Sequence, residues 1–130
     1  YVGDAVWELY VRHHLLARGI VKPRDLQKRS TYYVSAKAQA RALNELLPKL
    51  TEAERDVVRR GRNAKSRTVP KNAAILDYRY STAIEALVGY LYLTDQIVRL
   101  EELMVWVFET VESKGDANED GLDSREKSGD

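Results

Sequence analysis

The sequence has 130 residues, of which 44% are hydrophobic and 32% are charged, and it contains no cysteine. This length and composition are typical of one globular domain with a buried core, and the lack of cysteine excludes disulfides and thiolate metal sites. No apolar run is long enough to cross a bilayer and no signal peptide is visible, so we expect no membrane association.

The net charge of +1 conceals an uneven distribution of charge along the chain. Between Arg18 and Arg79 there are sixteen Lys and Arg residues but six Asp and Glu residues, and the chain turns acidic after Lys114. A basic middle section favours a surface that binds a polyanion, although solvated helix faces are the better explanation of the scattered cations.

Apolar residues recur at helical spacing along most of the chain, with no strand signal, which predicts an all-α fold. The pattern is already helical at Tyr1, so we expect N-terminal residues to be missing. The first helix is predicted to end near Arg18, with Gly19 as its C-cap. One apolar stripe is predicted to be buried and includes Val2, Val6, Leu9, His13 and Leu16. A second apolar stripe runs through Trp7, Val11 and Leu15.

The next helices are predicted from their start and stop signals. Pro23 starts a short helix that ends near Arg29, and Ser30 or Thr31 caps a helix that stops at Pro48. A capping box of the pattern Thr-x-x-Glu opens another helix at position 51, which ends near Gly61. The remaining predicted helices cover residues 73–77, 81–94 and 96–112, and residues 113–130 have a composition that predicts a disordered acidic tail.

Two carboxylates stand in apolar surroundings and are the candidate metal ligands. Asp4 lies in the first apolar stretch, and Glu85 is the single charge in the run from Tyr80 to Leu93. Since buried charges usually have a partner or a metal, we expect Asp4 and Glu85 to meet and hold Mg²⁺, for which Mn²⁺ is an expected substitute. The structural alternatives are an N-cap for Asp4 and an ion pair of Glu85 with Arg79 or Arg12.

Glu8 follows Asp4 by four residues and is a further candidate ligand, although an ordinary i,i+4 pair with Arg12 explains its position. Between the two carboxylates lies a basic stretch that has no acidic residue and no apolar periodicity at its centre. We predict that this stretch is a loop whose side chains contact phosphates, the alternative being a solvated surface loop. The candidate phosphate-binding residues are Arg59, Arg60, Arg62, Asn63, Lys65, Ser66, Arg67 and Lys71.

Three segments resemble a known family. Residues 1–5, Tyr-Val-Gly-Asp-Ala, look like the signature of ribonuclease III catalytic domains, and residues 84–93 resemble the second motif of that family, a Glu-Ala-aliphatic-aliphatic-Gly core. The segment Arg-Gly-Arg-Asn-Ala-Lys-Ser at 60–66, with Pro-Lys-Asn at 70–72, is similar to Mini-ribonuclease III, the branch made of the catalytic domain alone.

The resemblance covers residues 1–112 and implies the helical fold of the ribonuclease III endonuclease domain, followed by the tail at 113–130. It implies a homodimer that cuts double-stranded RNA with magnesium, leaving 5′-phosphate and 3′-hydroxyl ends, with Asp4 and Glu85 as the catalytic carboxylates. The implied substrate is precursor large-subunit ribosomal RNA, with a large-subunit ribosomal protein as a further expected partner. The implied location is the bacterial cytoplasm, or the plastid stroma for a plant protein.

The sequence departs from the ribonuclease III pattern at the metal site. Thr82 occupies the position of an aspartate in classical members, and another acidic ligand falls near Pro23 or Arg24. These departures imply a smaller set of metal ligands, and they leave two alternatives to the nuclease: a catalytically silent RNA-binding module of the same fold, or a helical protein-interaction domain.

Overall fold

A computed structural model describes the backbone of residues 1–64 and 75–129 and the side chains of residues 1–64 and 75–113. Throughout these ranges the chain is helical or in short connections, without strands, so the all-α prediction is confirmed. The elements in chain order are α1 (Val2–Ala17), α2 (Pro23–Tyr33), α3 (Ala36–Leu46), a 3₁₀ turn (Leu47–Lys49), α4 (Glu52–Asn63), α5 (Ile75–Leu93) and α6 (Ile97–Gly129).

Two predicted helix ends are confirmed. Gly19 follows the end of α1 with a φ of +87°, and its amide donates to the Leu16 carbonyl at 3.0 Å. At the start of α4, the Thr51 amide donates to the Glu54 carboxylate at 2.8 Å, and the Glu54 amide donates to the Thr51 hydroxyl at 3.2 Å. Both ends thus follow the local chemistry of helix capping.

The predicted cap of the third helix is wrong. Ser30 and Thr31 lie inside α2, where the Thr31 hydroxyl donates to the carbonyl of Gln27, one turn earlier. The cap is Ser35, whose hydroxyl accepts from the amide of Ala38. A residue that can cap a helix can also bond within one, so the pattern of Ser and Thr alone did not locate this boundary.

The predicted break between residues 77 and 81 is also wrong, because α5 runs without interruption from Ile75 to Leu93. The last helix was predicted to end near Glu112, whereas α6 continues to Gly129. No proline occurs after Pro70 to interrupt the helical backbone bonds in either segment. The division of the chain at residue 112 and the disorder of the tail stay predictions.

The core is built around α5, which packs against α1, α3, α4 and α6. Trp7, Val11 and Leu15 are fully buried on α1, as predicted. Of the other predicted stripe, Val6 is buried and Val2 packs against the core, whereas the prediction is wrong for Leu9, His13 and Leu16. The helix turns these three residues to solvent and leaves Leu9 64% and Leu16 53% exposed.

The half-buried histidine is His14 rather than His13. Its ring stacks on Phe108 with centroids 4.0 Å apart, and it bonds the carboxylate of Glu112. This contact fastens α1 to α6. Among the described residues, no helix combines the length and the hydropathy that crossing a bilayer requires.

Candidate active site

Two glycines bring α1 and α5 into backbone contact. A Cβ atom built on Gly3 would lie 1.7 Å from the carbonyl oxygen of Glu85, and one built on Gly89 would lie 3.1 Å from the amide nitrogen of Gly3. Any side chain at Gly3 would therefore force the two helices apart. This crossing lies one residue before Asp4, at the carbonyl of Glu85 itself.

The structure brings the carboxyl groups of Asp4 and Glu85 together. Asp4 is exposed in the first turn of α1, and Glu85 is half-buried on α5. Burial, followed by the hydrogen bond to Asp4 and the negative charge of Asp4, raises the pKa of Glu85 from 4.5 to about 7. Two carboxyl groups in this arrangement share a proton unless a cation neutralises them.

The structural alternatives for this pair do not hold. Tyr1 is the N-cap of α1, so Asp4 does not cap that helix. The guanidinium of Arg12 bonds Glu8 at 2.6 Å, and the groups that shift the pKa of Glu85 include neither Arg12 nor Arg79.

Glu8 is not brought into the carboxyl pair. It lies one turn beyond Asp4 and forms the i,i+4 ion pair with Arg12 that was its structural alternative. Within the part of the chain that the structure describes, no group of three His, Cys, Asp or Glu residues converges on a metal position. Thr82 adds no carboxylate, and its hydroxyl donates to the Tyr78 carbonyl at 2.9 Å.

The donor set at this site suits a hard divalent cation. Mg²⁺ and Mn²⁺ prefer oxygen ligands, and Mg²⁺ is commonly held by one or two carboxylates while it keeps several waters. A cation between Asp4 and Glu85 would replace the shared proton and remove the repulsion that raises the pKa of Glu85. The residues present therefore fit magnesium with two protein ligands.

The predicted RNA-binding residues that the structure describes lie at the end of α4. Arg59 and Arg60 both bond the carboxylate of Asp56, with Arg60 at 2.9 Å, while Arg62 and Asn63 are exposed. Lys65, Ser66, Arg67 and Lys71 lie outside the described residues.

Asp56 was missed by the sequence analysis as a partner of these arginines. Its spacing of three and four residues from Arg59 and Arg60 was the signal that could have indicated the contacts. Because Asp56 already accepts from both guanidinium groups, they are held along α4 before any phosphate binds.

Arg60 and Arg62 leave α4 on opposite sides of its contact with α5. Arg62 lines a groove together with Tyr80 of α5, whereas Arg60 lies about 200° away around α4, since successive residues are about 100° apart. On α5, Thr82 and Glu85 lie on the side away from Tyr80. The backbone of Arg60 therefore lies on the side of the crossing opposite the Tyr80 groove, and its guanidinium turns along α4 to Asp56.

Comparisons with known proteins agree with this fold. The family model described as Ribonuclease III domain matches residues 1–96. In solved structures, the chain resembles a protein of Fusobacterium nucleatum determined by X-ray crystallography, with a TM-score of 0.75 and 28% identity, covering 82% of this chain and 87% of that one. These matches define the class, that of ribonuclease III domains.

Curated relatives place the chain within that class. It is 52% identical over 114 residues to the Mini-ribonuclease 3 of Brevibacillus brevis, covering 88% of this chain and 85% of the relative. It is 49% identical to the Mini-ribonuclease 3 of Enterococcus faecalis, covering 92% and 89% of the two chains. The chain belongs to the Mini-ribonuclease 3 branch of the ribonuclease III family.

Proposed function

We propose that the protein is an endoribonuclease that hydrolyses double-stranded RNA with a divalent cation, Mg²⁺ or Mn²⁺, held by Asp4 and Glu85. One observation carries the proposal: the carboxyl groups of Asp4 and Glu85 are hydrogen-bonded to each other where α1 crosses α5. The names of the relatives, all Mini-ribonuclease 3, support ribonuclease activity.

The residues of the site form two groups, one that holds the cation and one that contacts the RNA backbone. When bound, magnesium supplies Lewis-acid chemistry at the scissile phosphodiester. Asp4 and Glu85 would hold the cation, and the proton that the pair shares would pass to solvent when the cation binds. Histidine is not needed as a base, and His14 is already engaged with Glu112.

Binding of RNA is assigned to the basic end of α4 and to the basic stretch that follows it. Arg59, Arg60, Arg62 and Asn63 contact phosphates, because A-form RNA is recognised mainly through its shape, its 2′-hydroxyls and its phosphates. Lys65, Ser66, Arg67 and Lys71 extend the same surface in sequence. We expect this binding to weaken steeply with salt.

The finer features of the proposal come from family membership. The products carry 5′-phosphate and 3′-hydroxyl ends, and the substrate is precursor large-subunit ribosomal RNA in the bacterial cytoplasm, or in the plastid stroma of a plant. The protein acts as a homodimer, so that two sites cut the two strands of one duplex. A large-subunit ribosomal protein is the proposed partner that presents the RNA.

A second candidate function is a catalytically silent module that binds double-stranded RNA. Two observations favour it: Thr82 bonds its own helix, and no third acidic ligand joins the carboxyl pair among the residues described. Both observations reduce the affinity expected for a cation. The arginines of α4 do not distinguish the two functions, because an RNA-binding module and a nuclease would both use them to contact RNA.

Incubation of the protein with double-stranded RNA and Mg²⁺ separates the two functions. We expect the wild type to cleave and Asp4→Asn and Glu85→Gln to bind RNA without cleaving it. Glu8→Gln is the matched control, because Glu8 bonds Arg12 and should leave cleavage unchanged. If the wild type binds RNA without cleaving it, the protein is the catalytically silent module. If the folded wild type neither binds nor cleaves RNA, the result supports the third alternative, a helical protein-interaction domain.

A further inference from the structure

We infer that Gly89 is a positioning residue that sets the cation preference of the carboxyl pair. The close helix crossing that it allows holds Asp4 and Glu85 at a separation that suits Mg²⁺ and disfavours the larger Ca²⁺. The inference rests on the proposed function, because it concerns the cation that the two carboxylates hold. Gly89 has no side chain with which to bind the cation itself.

The contact between Gly89 on α5 and Gly3 on α1 is made by backbone atoms. A Cβ atom on Gly89 would lie 3.1 Å from the amide nitrogen of Gly3 and 3.3 Å from its Cα. Neither atom belongs to a side chain that could rotate away, so a methyl group at position 89 requires the two helices to separate by a few tenths of an ångström. A methyl group on Gly3 would require a much larger displacement, because its Cβ would lie 1.7 Å from the Glu85 carbonyl oxygen.

Helix propensity does not explain the glycine at position 89. Gly89 is buried inside α5, where alanine would be more favourable by about 1 kcal/mol if the position were free. The approach of the α1 backbone is what leaves no room for a side chain. Since Glu85 lies one turn before Gly89 on the same helix, this approach also determines how far α1 stands from Glu85.

The separation would open at the carboxyl pair, because the other end of α1 is fastened. His14 and Arg18 both bond the carboxylate of Glu112 on α6, Arg18 at 2.7 Å. A displacement at the crossing would therefore be taken up at the start of the helix. Asp4 directly follows Gly3, and a single methylene group joins its carboxyl group to the backbone, so this carboxyl group moves with α1.

The spacing of the carboxyl oxygens matches the smaller cation. Asp4 and Glu85 are hydrogen-bonded to each other, which places two of their oxygens about 2.5–3.0 Å apart. Adjacent ligands of an octahedral Mg²⁺ ion, each about 2.0–2.1 Å from the metal, lie about 2.9 Å apart, whereas Ca²⁺ with ligands at about 2.3–2.6 Å needs about 3.3–3.7 Å. Helices a few tenths of an ångström further apart would therefore lose the Mg²⁺ spacing and approach that of Ca²⁺.

Calorimetric titration of Mg²⁺ and of Ca²⁺ into the metal-free protein at pH 8 tests the inference. We expect the wild type to bind Mg²⁺ more tightly than Ca²⁺. Gly89→Ala should weaken Mg²⁺ binding by about 10-fold, the lower end of the range for groups that orient metal ligands. It should weaken Ca²⁺ binding by about threefold or less, because Ca²⁺ accepts irregular coordination. Loss of stability alone would not change the ratio of the two dissociation constants.

Val111→Ala is the matched control for stability. Val111 is 1% exposed and adjoins Glu112, so it lies at the end of α1 that carries His14, far from the crossing. This variant should lower the melting temperature and leave the ratio of the Mg²⁺ and Ca²⁺ dissociation constants unchanged.

Two results would overturn the inference: a wild type that binds Ca²⁺ at least as tightly as Mg²⁺, or an unchanged ratio of dissociation constants in folded Gly89→Ala. The first result needs the wild type alone, so it decides the question even where Gly89→Ala does not fold. A wild type that binds neither cation would remove the inference together with the proposed metal site. A wild type that binds Mg²⁺ with the expected preference but does not cleave RNA would contradict only the proposed function.

Discussion

At the scale of single residues, the site depends on two like charges that the fold holds together. The isolation of Glu85 in an apolar run was a usable signal, since an unpaired charge is seldom buried. The i,i+4 spacing of Glu8 and Arg12 had already indicated their ion pair, whereas the sequence did not indicate that Thr82 bonds the Tyr78 carbonyl. A threonine hydroxyl inside a helix can bond the carbonyl one turn earlier or point elsewhere, so the identity of the residue alone does not decide its contact.

The raised pKa of Glu85 predicts how the stability of the metal-free protein changes with pH. The folded state keeps this proton up to about pH 7, whereas the unfolded chain loses it near 4.5. The free energy of unfolding should therefore fall as the pH rises through this window, and the loss should be complete above pH 7. Glu85→Gln removes this charge, so we expect it to raise the melting temperature at pH 8 but not at pH 4.5.

Differential scanning calorimetry with a metal chelator measures this effect at the two pH values. Glu8→Gln is again the matched control, because Glu8 is exposed to solvent and paired with Arg12. An equal change in melting temperature at both pH values in Glu85→Gln would show that the carboxyl pair does not share a proton.

At the scale of helices, local signals predicted the elements better than their boundaries. The capping box at Thr51 and the glycine after α1 were found because their chemistry involves neighbouring residues. The cap at Ser35 and the continuity of α5 depend on which turns can pack against the core, a tertiary effect that the sequence pattern does not contain. The close contacts of Gly3 and Gly61 with α5 are also tertiary effects, so the sequence pattern did not predict them.

The anchored start of α4 gives a prediction about stability. The buried carboxylate of Glu54 forms a two-bond ion pair with Arg99, which is half-buried and also donates to Glu102 and to the Lys49 carbonyl. We expect Glu54→Ala to lower the free energy of unfolding by about 1.5–3 kcal/mol, because charge-assisted hydrogen bonds are lost while Arg99 keeps its other partners. Glu102→Ala removes an exposed partner of the same arginine and should cost about 1 kcal/mol or less.

Urea denaturation at several pH values checks this prediction. The hydrogen bond from Arg99 outweighs burial and holds the pKa of Glu54 below 4.5, so the contribution of the pair should persist above pH 4.5 and decrease as the pH falls through that lower pKa. A loss for Glu54→Ala no larger than that for Glu102→Ala would mean that the pair does not anchor α4.

At the scale of the whole molecule, the outward face of α1 is the candidate dimer surface. Leu9 and Leu16 are seven residues apart on one side of the helix and are largely exposed. The sequence analysis assigned them to the core, since periodicity shows that a face is apolar but not whether it is covered by the same chain or by a second copy.

We expect Leu9→Asp/Leu16→Asp to convert the proposed dimer into a folded monomer, because two charges would be buried in the interface. Val98→Asp is the matched control, since Val98 is 82% exposed on α6, away from this face. Analytical ultracentrifugation would give the masses. A dimer of unchanged affinity in the α1 variant would exclude this surface as the interface.

The most direct test of the central claim is calorimetric titration of Mn²⁺ into the protein at pH 8, above the pKa of Glu85. We predict that the wild type and Glu8→Gln bind the ion, that Asp4→Asn and Glu85→Gln each lose binding, and that binding to the wild type at pH 6 releases a proton. Binding of Mn²⁺ to Asp4→Asn or Glu85→Gln as tight as that of the wild type would contradict the claim that the two carboxylates hold one cation.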